Sequence, residues 1–399
     1  MADMIDIFPP ARAAALERLQ AFAPKAGQNY GEGRNFAGTA TSLGAVSGLS
    51  PYLRTRMISQ VEVLEAVLSY QTAEDASRFV AEVFWRSYWQ GWLALRPSVW
   101  DSYQSDLGQL QNDIATQSGL RQRWQDACTG QIGIAPFDAW AHELAANGYL
   151  HNHVRMWFAS IWVHTLKLPW QLGADFFLRH LLDGCPASNT LGWKWVAGIQ
   201  TIGKPYLATS ENIAKYTDGR FENASGLADS PADIPAPPHP DPQDLWRTGT
   251  PQSGAWLLHE EDLNPVHLIA ACPAPTGFAT LSATAHQTPW QMAPMVTDFR
   301  AQAMADAQNR FGVDGPALKD AKALADWAQN SGIERIITAD APVGPTKTVL
   351  DTYDQLGDVP PLIRLRRDFD AAAWPLATKG FFKFRKHIPD LLDRFVQAG

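Results

Sequence analysis

Arg155 lies in an otherwise apolar helical run, Val154 to Trp162, and a guanidinium in such surroundings needs a charged partner. Asp183, at the end of a later helical stretch, is the obvious candidate. Around this pair fall Asn147-Gly148-Tyr149-Leu150-His151-Asn152-His153, then Leu182-Asp183-Gly184-Cys185-Pro186-Ala187-Ser188-Asn189, then Trp193-Lys194-Trp195. An arginine, an acid, an amide and two indoles are thus set on successive helices. The two histidines, two residues apart on a helix, point to different faces, so a metal centre with Cys185 or Asp183 is not expected.

The chain has 16 Trp in 399 residues, far above ordinary usage. An indole is costly in a core unless its N–H finds a partner, so this number suggests stacking, electron transfer or ring recognition beyond the packing that absorbs most of them. Cys128, Cys185 and Cys272 are odd in number and widely spaced, which argues against a disulfide framework or a metal knuckle. Met1 to Pro10 has acids and prolines but no basic region or long apolar run, and no stretch is long and apolar enough to cross a bilayer. A reducing cytoplasm and a monomer are the expectation. The formal net charge of −8 counts against non-specific nucleic-acid affinity, which needs clustered Lys and Arg, though a local basic rim is compatible with it.

Residues from about Ala11 to about Tyr216 read almost wholly as helix. Ser77–Ala94 carries Phe79, Val80, Val83, Phe84, Trp85, Tyr88, Trp89 and Trp92, the period of a largely buried helix. Further helices are expected at Pro136–Ala146, His151–Leu168, Gly173–Leu182 and Ser188–Gln200, with Gly148 and Gly184 as C-terminal caps. Between Pro231 and Pro251 fall seven prolines and few large apolar residues, the composition of a stiff extended linker. Beyond it, short apolar runs at Ala255–Leu258, Phe278–Ser282, Arg335–Thr338 and Leu362–Leu365 alternate with helical stretches at Val296–Phe311, Pro316–Ser331 and Pro345–Leu356. That alternation predicts a parallel βα sheet. Phe381–Ala398 reads as one amphipathic helix. The expected organisation is an all-α domain over 1–217, a Pro-rich linker over 218–252 and a Rossmann-like α/β domain over 253–399.

The helical part, from about Phe8 to about Tyr216, resembles the FAD-binding domain of the DNA photolyase and cryptochrome family. Ser47-Gly48-Leu49-Ser50-Pro51-Tyr52-Leu53 is similar to the family's phosphate-contacting loop, whose hydroxyls and backbone N–H groups suit a pyrophosphate. Glu82-Val83-Phe84-Trp85-Arg86-Ser87-Tyr88 looks like its acid–x–x–Trp–Arg–x–aromatic helix, and Asn152, Arg155, Asp183, Asn189, Trp193 and Trp195 complete the pocket. The resemblance implies FAD as cofactor, held by Tyr30, Ser47, Leu49, Ser50, Phe79, Arg86, Asn152, Arg155, Asp183, Cys185 and Asn189. The Arg155–Asp183 pair would supply the positive charge that a reduced flavin needs, and Asn189 would face the flavin N5 with an amide able to donate and accept. Ser188 and Asn189 are also good helix N-caps, a role compatible with the first.

Trp193 and Trp170 correspond to the inner two members of the family's photoreduction relay. The outermost would fall near Ile114, where no Trp stands, and Trp124 and Trp162 are the available substitutes. Glu82, Trp85, Asn152, Met156 and Trp195 correspond to positions that receive a flipped pyrimidine dimer: indole faces stack on bases, an acid and an amide bond their edges, and Met packs beneath. Damaged DNA is therefore the implied partner. Three departures stand out. Cys185 replaces an acid, His153 an arginine, and Gly48 another arginine near the phosphate loop; a thiol is a weak hydrogen-bonding group, and the lost arginines weaken the case for tight DNA binding.

Trp256-Leu257-Leu258-His259-Glu260-Glu261-Asp262-Leu263, Leu324-Ala325-Asp326-Trp327 through Ile336-Ile337-Thr338, and Gly380-Phe381-Phe382-Lys383-Phe384 resemble the opening, middle and end of the family's α/β antenna domain. In ordinary members that domain comes first. Here it follows, which implies a circular permutation, a rearrangement tolerated where termini meet at a surface. A second, antenna chromophore of unspecified identity goes with that domain. Three functions remain open at this point: light-driven repair of a cyclobutane pyrimidine dimer, blue-light sensing without repair, and a non-catalytic FAD-binding module.

Overall fold

A computed structural model of the protein describes residues 7–250 and 252–396. The first part is helical: α1 Arg12–Phe22, α2 Gln28–Gly33, α3 Ser50–Arg54, α4 Gln60–Leu68, α5 Ser77–Ala94, α6 Ser98–Thr116, α7 Ser118–Thr129, α8 Ala135–Asn147, α9 Asn152–Ser160, α10 Trp170–His180, α11 Pro186–Val196 and α12 Ser210–Tyr216. The α5 helix occupies the expected span and buries Phe79, Val80, Val83, Phe84, Tyr88 and Trp92, as its apolar period requires. Trp140, Trp157 and Trp162 are among the largest fully buried side chains, so much of the indole content does fill the helical core.

The second part is α/β: β1 Ala255–His259, α13 Val266–Ala271, β2 Phe278–Leu281, α14 Pro294–Phe311, β3 Ala317–Leu318, α15 Ala321–Asn330, β4 Ile336–Ala339, α16 Pro345–Asp354, β5 Leu362–Leu365, α17 Asp368–Ala373, α18 Phe381–Phe384 and α19 Ile388–Phe395. The five strands are parallel in the order β3-β2-β1-β4-β5, with Trp256 opposite Phe278 on one side and Ile337 on the other. Strands β1, β2 and β4 are buried along their whole length, as expected where helices cover both faces. Residues 225–250 and 252–254 form neither helix nor strand. They are held along the way: His239 donates from Nε2 to the Gln200 carbonyl, the Gln243 N–H reaches the Leu95 carbonyl, and the Gly249 N–H reaches the Arg364 carbonyl at the edge strand β5.

Four expectations need correction. The helix expected over His151–Leu168 ends at Ser160 and widens into a π-turn over Ile161–Thr165, where the Leu166 N–H bonds the Ile161 carbonyl at 2.9 Å. Ile161, Val163 and Thr165 are β-branched and crowd a tight helix, and the wider turn buries both Trp162 and His164. Gly148 does cap α8 in the left-handed conformation, but Gly184 caps nothing: α10 closes at Leu181 in extended geometry. The two-residue strand β3 falls inside the helical stretch expected over Pro316–Ser331. Phe381–Ala398 is two short helices separated by a 3₁₀ turn, because Pro389 lacks an N–H and suits a new first turn rather than a helix interior. Ala398 lies outside the described residues.

The carboxyl ends of β1 and β4, where the strand order reverses, point into the helical part. Glu260, Glu261 and Asp262 follow β1, and Asp340 follows β4. Arg54 of α3 grips Glu261 with both terminal nitrogens at 2.5 and 2.8 Å. Asp262 receives two bonds of 2.7 Å from Arg367 and stands 3.7 Å from Arg56, which itself pairs with Asp370. Glu260 faces Arg300, and Asp340 faces Arg366. This buried ionic seam fixes the sheet against the helices.

Candidate functional site

Gly148 ends α8, Tyr149 and Leu150 turn the chain, and His151 caps α9 by accepting the His153 N–H on Nδ1 at 3.2 Å. That turn sets Arg155 one turn into α9, where its Nε bonds the Leu150 carbonyl at 2.9 Å. Its two terminal nitrogens then meet Asp183 at 2.9 and 2.8 Å, the parallel fork of an arginine–carboxylate pair. The fork is partly open, Arg155 being 25% exposed and Asp183 6%. Burial, with His153 and Arg155 nearby, pushes His151 down to about 4, so at neutral pH it adds no charge.

Asn189, in the first turn of α11, donates its amide to the Ala174 carbonyl at 2.8 Å. Its carbonyl oxygen has no described partner and is left as an acceptor on a half-buried surface. Cys185 precedes that helix and is buried. Burial opposes ionisation of the thiol, yet the guanidiniums of Arg86 and Arg54 outweigh it and hold Cys185 below its usual range. Arg86 donates to the Arg54 carbonyl at 3.3 Å and keeps a buried Nε with no partner.

The Ser47–Ser50 loop enters α3. Ser47 Oγ accepts the Leu49 N–H at 3.3 Å, Leu49 is buried, and Ser47 and Ser50 are half-buried. Gly48 has φ of +63°, and a side chain there would collide with Leu43 and with Arg18, whose Nη1 lies 2.9 Å from the position of a Cβ. The guanidinium of Arg18 of α1 therefore lies against Gly48 at this loop, where it also donates to the Ile7 carbonyl. Arg34, just past α2, likewise stands on the rim beside His153 and pairs with Glu82. Sequence reading missed both. No periodicity links Arg18 to a loop thirty residues away. Tyr30 and Phe79 pack edge to face at 5.2 Å beside Phe22, so the Phe79 ring is core and the Tyr30 phenol lies by Arg34.

The five residues matched to a base cavity are dispersed in character. Asn152 is exposed, while Glu82, Met156, Trp85 and Trp195 are half-buried. Trp195 stacks on Tyr206 at 5.8 Å. Trp85 stacks face to face on Phe381 at 3.7 Å and 12°, so one of its faces is taken by α18.

Trp193 is buried with an unpartnered indole N–H. Its ring lies against Gly173 of α10: a Cβ added there would stand 2.3 Å from it. Gly173→Ala is therefore expected to destabilise the fold by about 1–3 kcal/mol, the cost of overpacking a closed core. A thermal melt of the variant matching that of the parent would show that Trp193 is not held where described. Trp170, three residues earlier on α10, stacks on Tyr103. Trp162 meets Trp193 edge-on at 6.1 Å, whereas Trp124 pairs with Trp290 and touches neither Trp193 nor Trp170 among the described ring contacts.

Comparison with known proteins bears directly on this arrangement. The family description "FAD binding domain of DNA photolyase" matches residues 79–219. The chain is 34% identical over 208 residues to a deoxyribodipyrimidine photo-lyase of Agrobacterium fabrum, a match covering 51% of this chain and 42% of that protein. It is 30% identical over 207 residues to the corresponding enzyme of Escherichia coli, covering 50% and 42%. Among solved structures, a bacterial class III photolyase from Agrobacterium tumefaciens is 29% identical with a TM-score of 0.45, covering 54% of this chain and 44% of that one. A cryptochrome from Synechocystis is 22% identical with a TM-score of 0.41, covering 52% and 43%. The chain spans about two-fifths of the length of the curated relatives it matches. No described helix is long and apolar enough to cross a membrane. What the Arg155–Asp183 fork, the Asn189 amide and the indoles of α10 and α11 have in common is their place in residues 79–219, the stretch of this chain that matches the FAD-binding domain of DNA photolyase.

Proposed function

We propose that this chain binds FAD beside the Arg155–Asp183 fork and Asn189, on α9 and α11, and uses light to move an electron from the reduced cofactor to a cyclobutane pyrimidine dimer in DNA. The observation that carries the reading is the half-open Arg155–Asp183 fork beside the free carbonyl oxygen of Asn189. A reduced isoalloxazine carries negative charge and an N–H, and this pair of groups offers it a cation and an acceptor. The unpartnered Nε of Arg86 and the guanidinium of Arg18 at the Ser47–Ser50 loop fit the same ligand, the second facing a pyrophosphate. When bound, the cofactor supplies light-driven one-electron chemistry. The chain's own residues do the rest: Arg155 holds the charge near neutrality, Asn189 orients, Ser47, Ser50 and Arg18 hold phosphate, and Trp193 delivers the electron that restores the reduced state. Glu82, Asn152, Met156 and Trp195 would receive the damaged base, in a protein we place in the cytoplasm as a monomer. The α/β part, read as a permuted antenna domain, would carry any second chromophore.

One observation favours a second reading, blue-light sensing without repair: the Phe381 ring covers a face of Trp85 that a stacked base would need. Both readings require a yellow protein whose heat-released cofactor is FAD. An oligonucleotide containing one pyrimidine dimer, illuminated with the photoreduced protein, is expected to be restored to intact bases. A coloured, photoreducible protein that leaves the dimer untouched would overturn repair and leave sensing, and a colourless chain that takes up no added FAD would overturn both.

A further inference from the structure

The indole expected to end the electron relay is missing, since Ile114 occupies its place and is buried. Two routes lead away from Trp193. The first passes to Trp162, which is fully buried, bonds the Pro169 carbonyl through its indole N–H, and is otherwise flanked by Phe137, Phe158 and Phe176. Phenyl rings are much harder to oxidise than indoles, so this route is closed. The second follows α10. Trp193 lies against Gly173, and Trp170 stands three residues earlier on the same helix, about 5 Å along the axis. Trp170 stacks on Tyr103 at 5.6 Å and 26°, and Tyr103 on Trp100 at 5.2 Å and 37°. Trp100 in turn lines a cleft of about 500 Å³ between α6 and the α/β part, together with Gln104, His286, Asp320 and Thr348.

We infer that the relay of this protein runs Trp193–Trp170–Tyr103–Trp100 and ends at Trp100, on the cleft between the helical and α/β parts. The inference rests on the proposed flavin reading. One electron leaves Trp193 for the photo-excited cofactor, and the vacancy is filled in turn from Trp170 and, across the Tyr103 ring, from Trp100. Trp100 loses one electron in all, and its indole proton passes to water in the cleft. A small thiol reductant entering that cleft returns the electron and is itself oxidised. Tyr103 bridges without being oxidised at rest, because an oxidised phenol must shed its proton and this one has no partner to take it. The hydroxyl is buried with no hydrogen bond, and the nearby Asp175 carboxylate is already engaged by Arg179 and Thr288. Burial, reinforced by Asp175, raises the Tyr103 phenol well above its usual range.

The test uses the full chain loaded with FAD, whose absorption spectrum reports cofactor occupancy separately from the relay. After a flash, the parent should show a long-lived tryptophan radical by transient absorption. Trp100→Phe should shorten its lifetime by an order of magnitude or more, and Tyr103→Phe should leave it within a factor of two because a phenyl ring still bridges. Tyr103→Leu, which removes the ring, should behave like Trp100→Phe. Peptide mass spectrometry after prolonged illumination without reductant should find oxidised indole at Trp100. A flavin-loaded Trp100→Phe with unchanged radical lifetime would overturn the route, as would a tyrosyl signal abolished in Tyr103→Phe. A chain that takes up no flavin overturns the route together with the reading beneath it, and the spectrum alone distinguishes that case.

Discussion

Arg54→Ala is expected to cost about 3–5 kcal/mol of stability, because it strands Glu261 as an uncompensated charge in a closed interface. The two side chains are 1% and 5% exposed, and Arg54 also donates from Nε to the Gly184 carbonyl at 2.7 Å. Burial works against the Glu261 charge, but the Arg54 guanidinium outweighs it and holds the carboxyl below its usual range. A depressed carboxyl contributes stability that is present above its unfolded pKa and lost as the pH falls through the folded one. Urea titrations should therefore show the parent weakening on acidification, with a shallower pH dependence in the variant. The double variant Arg54→Met with Glu261→Leu should regain much of the loss, since an apolar pair of similar volume often matches a buried ion pair. A single variant as stable as the parent would mean that the seam does not close as described.

Arg155→Ala is expected to weaken flavin retention by about 2 kcal/mol, roughly thirtyfold in affinity. The estimate sits below the full cost of breaking a buried pair because Arg155 is a quarter exposed and solvent screens part of the interaction. His153→Ala is the companion. Its ring bonds the Asn35 carbonyl at 2.8 Å and stacks near Trp157, on the outer side of α9, so retention should be nearly unchanged. Equilibrium dialysis against FAD separates the two. Equal retention in both variants would detach the Arg155–Asp183 fork from the cofactor.

How far these features could be read from the chain depends on whether their partners are local. The α5 helix was legible because its apolar period is uninterrupted for five turns, and β5 because Leu362–Leu365 is short, apolar and bounded by turns. Arg155 announced its need for Asp183 because a charge in an apolar helix has few solutions. The π-turn was not legible, since the sequence continues an acceptable helical pattern through Ile161–Thr165 and only the packing of Trp162 and His164 selects the wider turn. Nor was β3, two residues long and defined by its pairing with Thr280 and Leu281. Trp170 could be matched by motif, but that its neighbour is Tyr103 rather than anything near Ile114 depends on how α6 and α10 cross. The partners of Glu260-Glu261-Asp262 were not legible either, because the arginines that answer the triplet lie some two hundred residues earlier or forty and one hundred later.

That acidic triplet has a consequence for the integrity of the molecule. In open parallel sheets the reversal point between strands usually remains a crevice where ligands bind. Here the same place is used as a socket, filled by guanidiniums from Arg54, Arg56, Arg300 and Arg367. Arg54 and Arg56 come from the helical part, so separating the two parts would take Arg54 from Glu261 and Arg56 from Asp262 and Asp370, and each bare charge is expensive to leave in an apolar wall. The tether over residues 225–254 therefore contributes connection more than cohesion. A protease that cut it would yield two fragments still travelling as a single particle, parted only by denaturant or by acid strong enough to protonate the socket.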